Sequence, residues 1–207
     1  IDTSITILKK AGIKNAKVKI GNFKLFELLI QKLSIPERWK KRLNKFYWNS
    51  KYFSELLKRL ESNLDIDPFV VAGDHKTYLK MKKQNPNKII AGRSYKEILD
   101  RYEKKINDPR ITKTGKQSCK IIKEFLKIKC PLKNAPEKLN KFYKKYNLNI
   151  SVGTEFFPIT NFKQNKLKFE FSTSNGRGRE IESDTSFIFS IDIKIKNKQK
   201  TLISGGR

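Results

Sequence analysis

Histidine is nearly missing from this chain: His75 is the only one among 207 residues. A serine or cysteine hydrolase needs a histidine held by a carboxylate and facing a nucleophile. His75 has no such neighbours in sequence and reads as a surface residue. Cysteine is almost as scarce. Cys119 and Cys130 form no CxxC set, which argues against a zinc framework and leaves two reduced thiols. No apolar run approaches the length that spans a bilayer, and no signal peptide is visible. Acidic residues are few, 20 against 47 lysines and arginines, so the formal net charge is +27.

That charge suits phosphate neutralisation and therefore nucleic acid. The lysines are spread along the chain, however, and many fall on the polar side of amphipathic helices, where solvated lysine is expected. They accompany abundant Ile and Asn and little Ala, the mark of AT-rich coding. Nucleic acid is accordingly not expected as a partner, and no metal or cofactor is expected. The length fits one domain. Residue 1 is Ile rather than Met, and residues 204–207 fall inside a motif, which predicts a piece of a longer protein.

The first part of the chain reads as helices. Residues 3–11 look like a helix stopped by Gly12, and residues 16–20 alternate as a short strand. Gly21-Asn22 opens a helix with Phe26, Leu29, Ile30 and Leu33 on one face. Ser34-Ile35-Pro36-Glu37 fits a capping box with Pro in the first turn. The helix after it aligns Trp39, Leu43, Phe46 and Tyr47 as core. Asn49 or Ser50 caps the next, which carries Phe53, Leu56, Leu57 and Leu60. Residues 63–87, with Pro68, Gly73 and Pro86, give no clear period and predict a connecting or mobile stretch. Ser94 with Glu97 forms a second capping box before Tyr95, Ile98, Leu99, Tyr102 and Ile106. Residues 116–128 predict a helix ending near Pro131, and Pro136 starts the last one, with Leu139, Phe142, Tyr143 and Tyr146 aligned.

Beyond residue 147 the period changes to two. Leu167, Phe169 and Phe171 alternate with polar residues, and so do Phe187, Phe189, Ile191, Ile193 and Ile195. Asn197-Lys198 reads as a hairpin turn returning through 201–203. The expected architecture is α+β: a mainly helical segment, 1–146, before an antiparallel sheet segment, 147–207, with strands at 166–173, 185–196 and 200–204. Gly176-Arg177-Gly178 follows a strand but leads into another strand, so it is not a dinucleotide fingerprint. Glu180, Glu182 and Asp184 alternate and could share a face. Such carboxylates either bind an ammonium or imidazolium group or make a solvated strand entrance, and Arg177 and Arg179 nearby favour a polar site.

Taken together, these blocks resemble the ATP phosphoribosyltransferase regulatory subunits of alphaproteobacteria, paralogues of the histidyl-tRNA synthetase catalytic domain. Residues 19–26 resemble the segment RLGDLALF, and residues 34–43 resemble LPPRWRRRL. Phe46-Tyr47-Trp48-Asn49 resembles HFWRP. Ala91-Gly92-Arg93-Ser94 with Glu97-Ile98 resembles AGRSLAEI, the block that points to the regulatory subunit. Residues 177–190 resemble FGRNLEYYTGFVFE, and residues 204–207 resemble the start of GGGRYDGL.

The resemblance implies one class II aminoacyl-tRNA synthetase-like domain, with its flanking motifs outside this chain. It implies a cytoplasmic, non-catalytic subunit that self-associates and binds the short-form ATP phosphoribosyltransferase catalytic subunit. In that role it supports activity and histidine feedback control in the first step of histidine synthesis. It also implies a histidine-binding set: Arg179, Glu182, Asp184, Thr185, Gly205 and Gly206. The chain departs from the block at Ser183-Asp184, where the family has two tyrosines, at Ser186 for a glycine, and at Ser190 for a glutamate. The rival expectations are a true histidyl-tRNA synthetase and, behind it, a basic nucleic-acid-binding module.

Overall fold

The computed structural model describes residues 1–13, 16–62, 68–83, 89–106, 112–157, 167–177, 186–195 and 198–206. Helix α1 (Asp2–Lys10) ends just before Gly12, which turns the chain at φ +73°. Strand β1 (Ala16–Asn22) follows, with Ala16, Val18 and Ile20 buried on one face and Lys17 and Lys19 on the other. Helix α2 (Phe23–Lys32) starts at once. The Asn22 side chain accepts the Lys24 N–H and so satisfies a donor of the first turn. Leu25, Phe26, Leu29 and Ile30 form its buried face.

Helix α3 (Glu37–Lys45) starts where expected but without the expected capping box. Pro36 occupies the N-cap position with φ −56°, and no side chain caps it. Ser34 is then two residues too early to reach the first-turn donors. Trp39, Leu43 and Tyr47 are buried, whereas Phe46 ends the helix half-buried, edge-on to Tyr52 at 4.6 Å. Asn49 caps helix α4 (Ser50–Glu61) by accepting the Tyr52 N–H, and Phe53, Leu56, Leu57 and Leu60 make the buried stripe.

Within the stretch expected to be irregular lies helix α5 (Pro68–Lys82), fifteen residues long. Pro68 takes the first position, where no N–H is needed. The sequence does not gather apolar residues on one face, so the 3.6 period is missing. Strands β2 (Ile89–Ile90) and β3 (Arg93–Ser94) then form a hairpin. Ala91 at φ +49° and Gly92 at φ +76° give it the doubly left-handed turn that matches strand twist. Helix α6 (Tyr95–Ile106) carries the expected capping box: Ser94 N–H donates to Glu97 Oε2 at 2.9 Å, and Glu97 N–H donates to Ser94 Oγ at 3.3 Å.

Helix α7 (Thr112–Phe125) begins and ends earlier than expected, and after a short turn Lys129–Pro131 forms strand β4. Pro131 is tolerated there because β4 is an edge strand. Helix α8 (Ala135–Lys145) has Pro136 in its first turn and buries Ala135, Leu139, Phe142 and Tyr143. Strands β5 (Lys168–Ser172), β6 (Phe187–Ile195) and β7 (Lys198–Gly206) complete the sheet.

The sheet runs β4-β5-β1-β6-β7. It is mixed rather than antiparallel: β1 pairs with β5 in parallel (Val18 opposite Phe169) and with β6 antiparallel (Val18 opposite Ile191). A parallel pair needs a long crossover, and here the helices between β1 and β5 supply it. The α+β class therefore holds, with β1 and β4 joining strands from beyond residue 147. Val18, Ile20, Phe171 and Ile191 pack with the buried faces of α2, α3, α4, α7 and α8 in one core.

Candidate functional site on the polar face of the sheet

Strand alternation puts the apolar residues of β1, β5 and β6 against the helices, so every second residue lands on the opposite face. There the register sets Lys19 opposite Glu170 on one side and Ser190 on the other. It sets Lys17 opposite Asp192, and Asp192 opposite Thr201. Lys19 Nζ lies 2.8 Å from Asp192 Oδ2. Thr201 Oγ1 donates to Asp192 Oδ1 and Gln199 Nε2 to Oδ2, both at 2.6 Å. Burial raises the Asp192 carboxyl, but these donors and the Lys19 charge outweigh it and hold the group below the usual aspartate range.

One strand over, Lys17 Nζ reaches Glu170 Oε2 at 2.5 Å. Lys129 Nζ stands 3.3 Å from Oε1 as an ion-pair contact without hydrogen-bond alignment, so Lys17 is the stronger hold. Glu170 too lies below the usual glutamate range. Burial raises it, and the lysine contacts more than reverse that.

The turn after β5 folds over the end of this face. Asn175 Nδ2 donates to Lys19 O at 3.2 Å, and Ser190 Oγ donates to Asn175 Oδ1 at 3.3 Å. Ser190 is thus committed to Asn175. Arg177 then lies over the rings of Phe53 and Tyr47, its carbon 4.5 and 5.1 Å from their centres. Phe23, Tyr47 and Trp48 form an aromatic group beside it, with ring centres 4.9–5.1 Å apart.

Of the expected histidine set, Arg179, Glu182, Asp184 and Thr185 lie outside the described residues. Gly205 and Gly206 end β7 opposite Phe189 and Ile188. A Cβ on Gly205 would meet the Phe189 ring at 3.0 Å, so this glycine accommodates a ring on the helix-facing side. The two glycines face opposite sides of the sheet, and only Gly206 falls on the polar face. His75 is exposed, both cysteines are buried free thiols, and no cluster of metal-ligating side chains occurs among the described residues. Burial pushes the Cys119 thiol up to about 12, an unreactive state.

Sequence reading missed the polar network. Its signal was the alternation of Lys17 and Lys19 in β1 and of Ser190 and Asp192 in β6, which acquires meaning only once the strands are paired.

No family profile and no solved structure matches the chain. Three curated proteins do, each named ATP phosphoribosyltransferase regulatory subunit. The one from Rhizobium johnstonii is 29% identical over 62% of this chain and 37% of its own length. That from Rhizobium rhizogenes is 27% identical over 70% and 41%, and that from Rhizobium meliloti 24% over 75% and 45%. The chain thus spans about two fifths of the length of these relatives. No helix among the described residues is long and apolar enough to cross a membrane. The resemblance carried by the sequence blocks is therefore borne out: over most of its length, this chain is similar to ATP phosphoribosyltransferase regulatory subunits.

Proposed function

We propose that the chain is part of a non-catalytic regulatory subunit of ATP phosphoribosyltransferase. The observation that carries this reading is the similarity to three proteins that share that one name. In this reading the chain belongs to a class II synthetase-like domain that binds a short-form catalytic subunit and self-associates within the complex. The α+β architecture, with a polar sheet face opposite the helices, is compatible with such a domain. Histidine is the effector, received near Arg179, Glu182, Asp184, Thr185, Gly205 and Gly206. Its control is a coupling free energy between that site and the partner's active site, and it requires different affinity for the two states of the complex.

The purified full-length protein should stimulate phosphoribosyl-ATP formation by a short-form ATP phosphoribosyltransferase, and added histidine should lower the rate. Histidine-dependent charging of tRNA by the protein would replace this reading with that of a synthetase.

A further inference from the structure

The lysines are spread along the sequence, but folding gathers cations with aromatic rings where α3 meets the start of α4. On α3, Lys41, Arg42 and Lys45 share one stripe, since residues three and four apart lie on the same helical face. Lys41 and Lys45 are exposed, and Arg42 is half-buried. Arg38 opens the same stripe and turns toward α6, where it donates to Lys104 O. No carboxylate among the described residues pairs with Lys41, Arg42 or Lys45. Other helices do supply such partners: Lys24 meets Glu27 on α2, Lys58 meets Glu55 on α4, Lys123 of α7 meets Glu61 of α4, and Lys141 meets Glu137 on α8. The one glutamate of α3, Glu37, faces Lys40, which lies off the stripe.

Two rings continue the stripe. Phe46, one turn beyond Arg42, is half-buried, and half-buried Tyr52 of α4 stands edge-on to it with ring centres 4.6 Å apart. Arg42 ties the group together. Its Nη2 donates to Tyr52 Oη at 3.0 Å, and its Cζ lies 5.3 Å from the centre of the Trp39 ring. The Lys45 ammonium lies 5.6 Å from the centre of the Phe46 ring, so one face of that ring is turned to an exposed side chain rather than to the core. Cations in a last turn suit the helix C-terminus, but that need is met without half-exposed rings beside them. A guanidinium and a ring held in place this way lose little freedom when they bind.

We propose that this corner is a binding surface for single-stranded nucleic acid, with Lys41, Arg42 and Lys45 on backbone phosphates and a base stacked on Phe46 beside Tyr52. Cations that track phosphates, set next to rings on which any base can stack, are the chemistry by which such strands are held without sequence preference. The dispersion of lysine in the sequence hides this arrangement, because Tyr52 joins the stripe only through the turn between α3 and α4. The surface goes beyond the regulatory reading and does not depend on it: stimulation of the transferase is measured separately, and neither result decides the other.

The test uses the full-length protein and fluorescence anisotropy of labelled probes. The probes are an oligothymidylate of about 12 nucleotides, an abasic strand with the same backbone, and an oligoglutamate of the same length. The oligothymidylate should bind, and the abasic strand and the oligoglutamate should each bind at least about tenfold more weakly, since neither can stack. Phe46→Leu, which keeps an apolar side chain and loses the ring, should weaken the oligothymidylate about tenfold and leave the abasic strand unchanged. Replacing both Lys41 and Lys45 by Gln touches exposed side chains without carboxylate partners, so folding should be unaffected. That variant should make the salt dependence of log K shallower by about 1.4, or about 0.7 for each lost phosphate contact. The same replacement at Lys76 and Lys80, exposed on α5, should change neither affinity nor salt slope. No binding by the wild type, abasic or glutamate probes bound as tightly as the oligothymidylate, unchanged affinity in Phe46→Leu, or equal losses in the α5 variant would each overturn the proposal.

Discussion

Asp192 is 3% exposed, and three donors keep it charged. Its depressed pKa fixes the sign of a pH effect. The folded state holds the proton less tightly than the unfolded chain, so the added stability is full above the unfolded value of about 3.9. It is lost as pH falls through the lower folded value. Glu170 acts in the same direction. Urea midpoints should therefore be level near neutrality and fall below about pH 4, and Asp192→Asn should flatten that acid limb. An acid limb of equal slope in the variant would remove Asp192 as its cause. Truncation separates two aromatics that the sequence placed on one stripe. Trp39→Ala should cost on the order of 3–5 kcal/mol, since Trp39 is fully buried. Phe46→Ala should cost only about 1–2 kcal/mol, because half of that burial is absent. Equal losses in denaturant titrations would contradict the difference in burial. At this scale the sequence showed Trp39, Leu43 and Tyr47 as core, but not that Phe46 beside them stays half-buried. It could not show which polar side chains meet, because Lys19 and Asp192 are brought together only by pairing β1 with β6.

Helix α7 crosses α4 at Gly115, where an added Cβ would clash with the Leu60 carbonyl oxygen. Cys119, one turn further on, donates to Leu57 O at 3.4 Å, so the two helices are in close contact along this line. Alanine is the better helix former by about 1 kcal/mol. Gly115→Ala should nonetheless destabilise by about 1–3 kcal/mol, because the backbone contact must open. A raised thermal midpoint in the variant would show that the helices separate freely. Element boundaries were legible wherever a local donor or acceptor marks them: Asn22, Asn49, Ser94 with Glu97, and Pro136 all start helices where the sequence placed them. Elements defined by distant partners were not. Strand β4 is three residues long and exists by pairing with β5, α5 lacks an apolar stripe, and the parallel run of β1 beside β5 has no local signature. The AGRS block, quoted for its resemblance, proves to be a hairpin turn leading into a helix cap. That gives its residues a conformational role independent of any ligand.

Over the whole molecule, burial divides the chain unevenly. Strand β1 lies at the centre of the sheet, and its Val18 and Ile20 are fully buried. From α5 through the β2–β3 hairpin to α6, Tyr95 is the one buried side chain among those described, while Leu79, Ile89 and Ile90 are exposed by 48%, 71% and 41%. The tie from α6 back to α3 includes an exposed hydrogen bond from Arg38 to Lys104 O at 3.3 Å. Few buried apolar contacts mean that such a region opens at lower free energy than the core. The two helices pack on each other and have capped or proline-started ends, so they should open together rather than fray singly. Native-state hydrogen exchange should show the amides of α5 and α6 exchanging at least about a hundredfold faster than those of β1 and β6, at similar rates in the two helices. The sheet should open only with the whole molecule. β1 is held on both sides by strands roughly 150 and 170 residues away in sequence, so no local fluctuation can release it. Protection in α5 equal to that in β1 would mean that this excursion is bound into the core by contacts beyond those seen here. The lysine excess bears on the same question. Lys76, Lys80 and Lys82 along α5 and Lys83 just after it are all exposed, and like charges so close repel one another. Raising the salt concentration should therefore slow exchange in α5 more than in β1, where Lys17 and Lys19 are already paired.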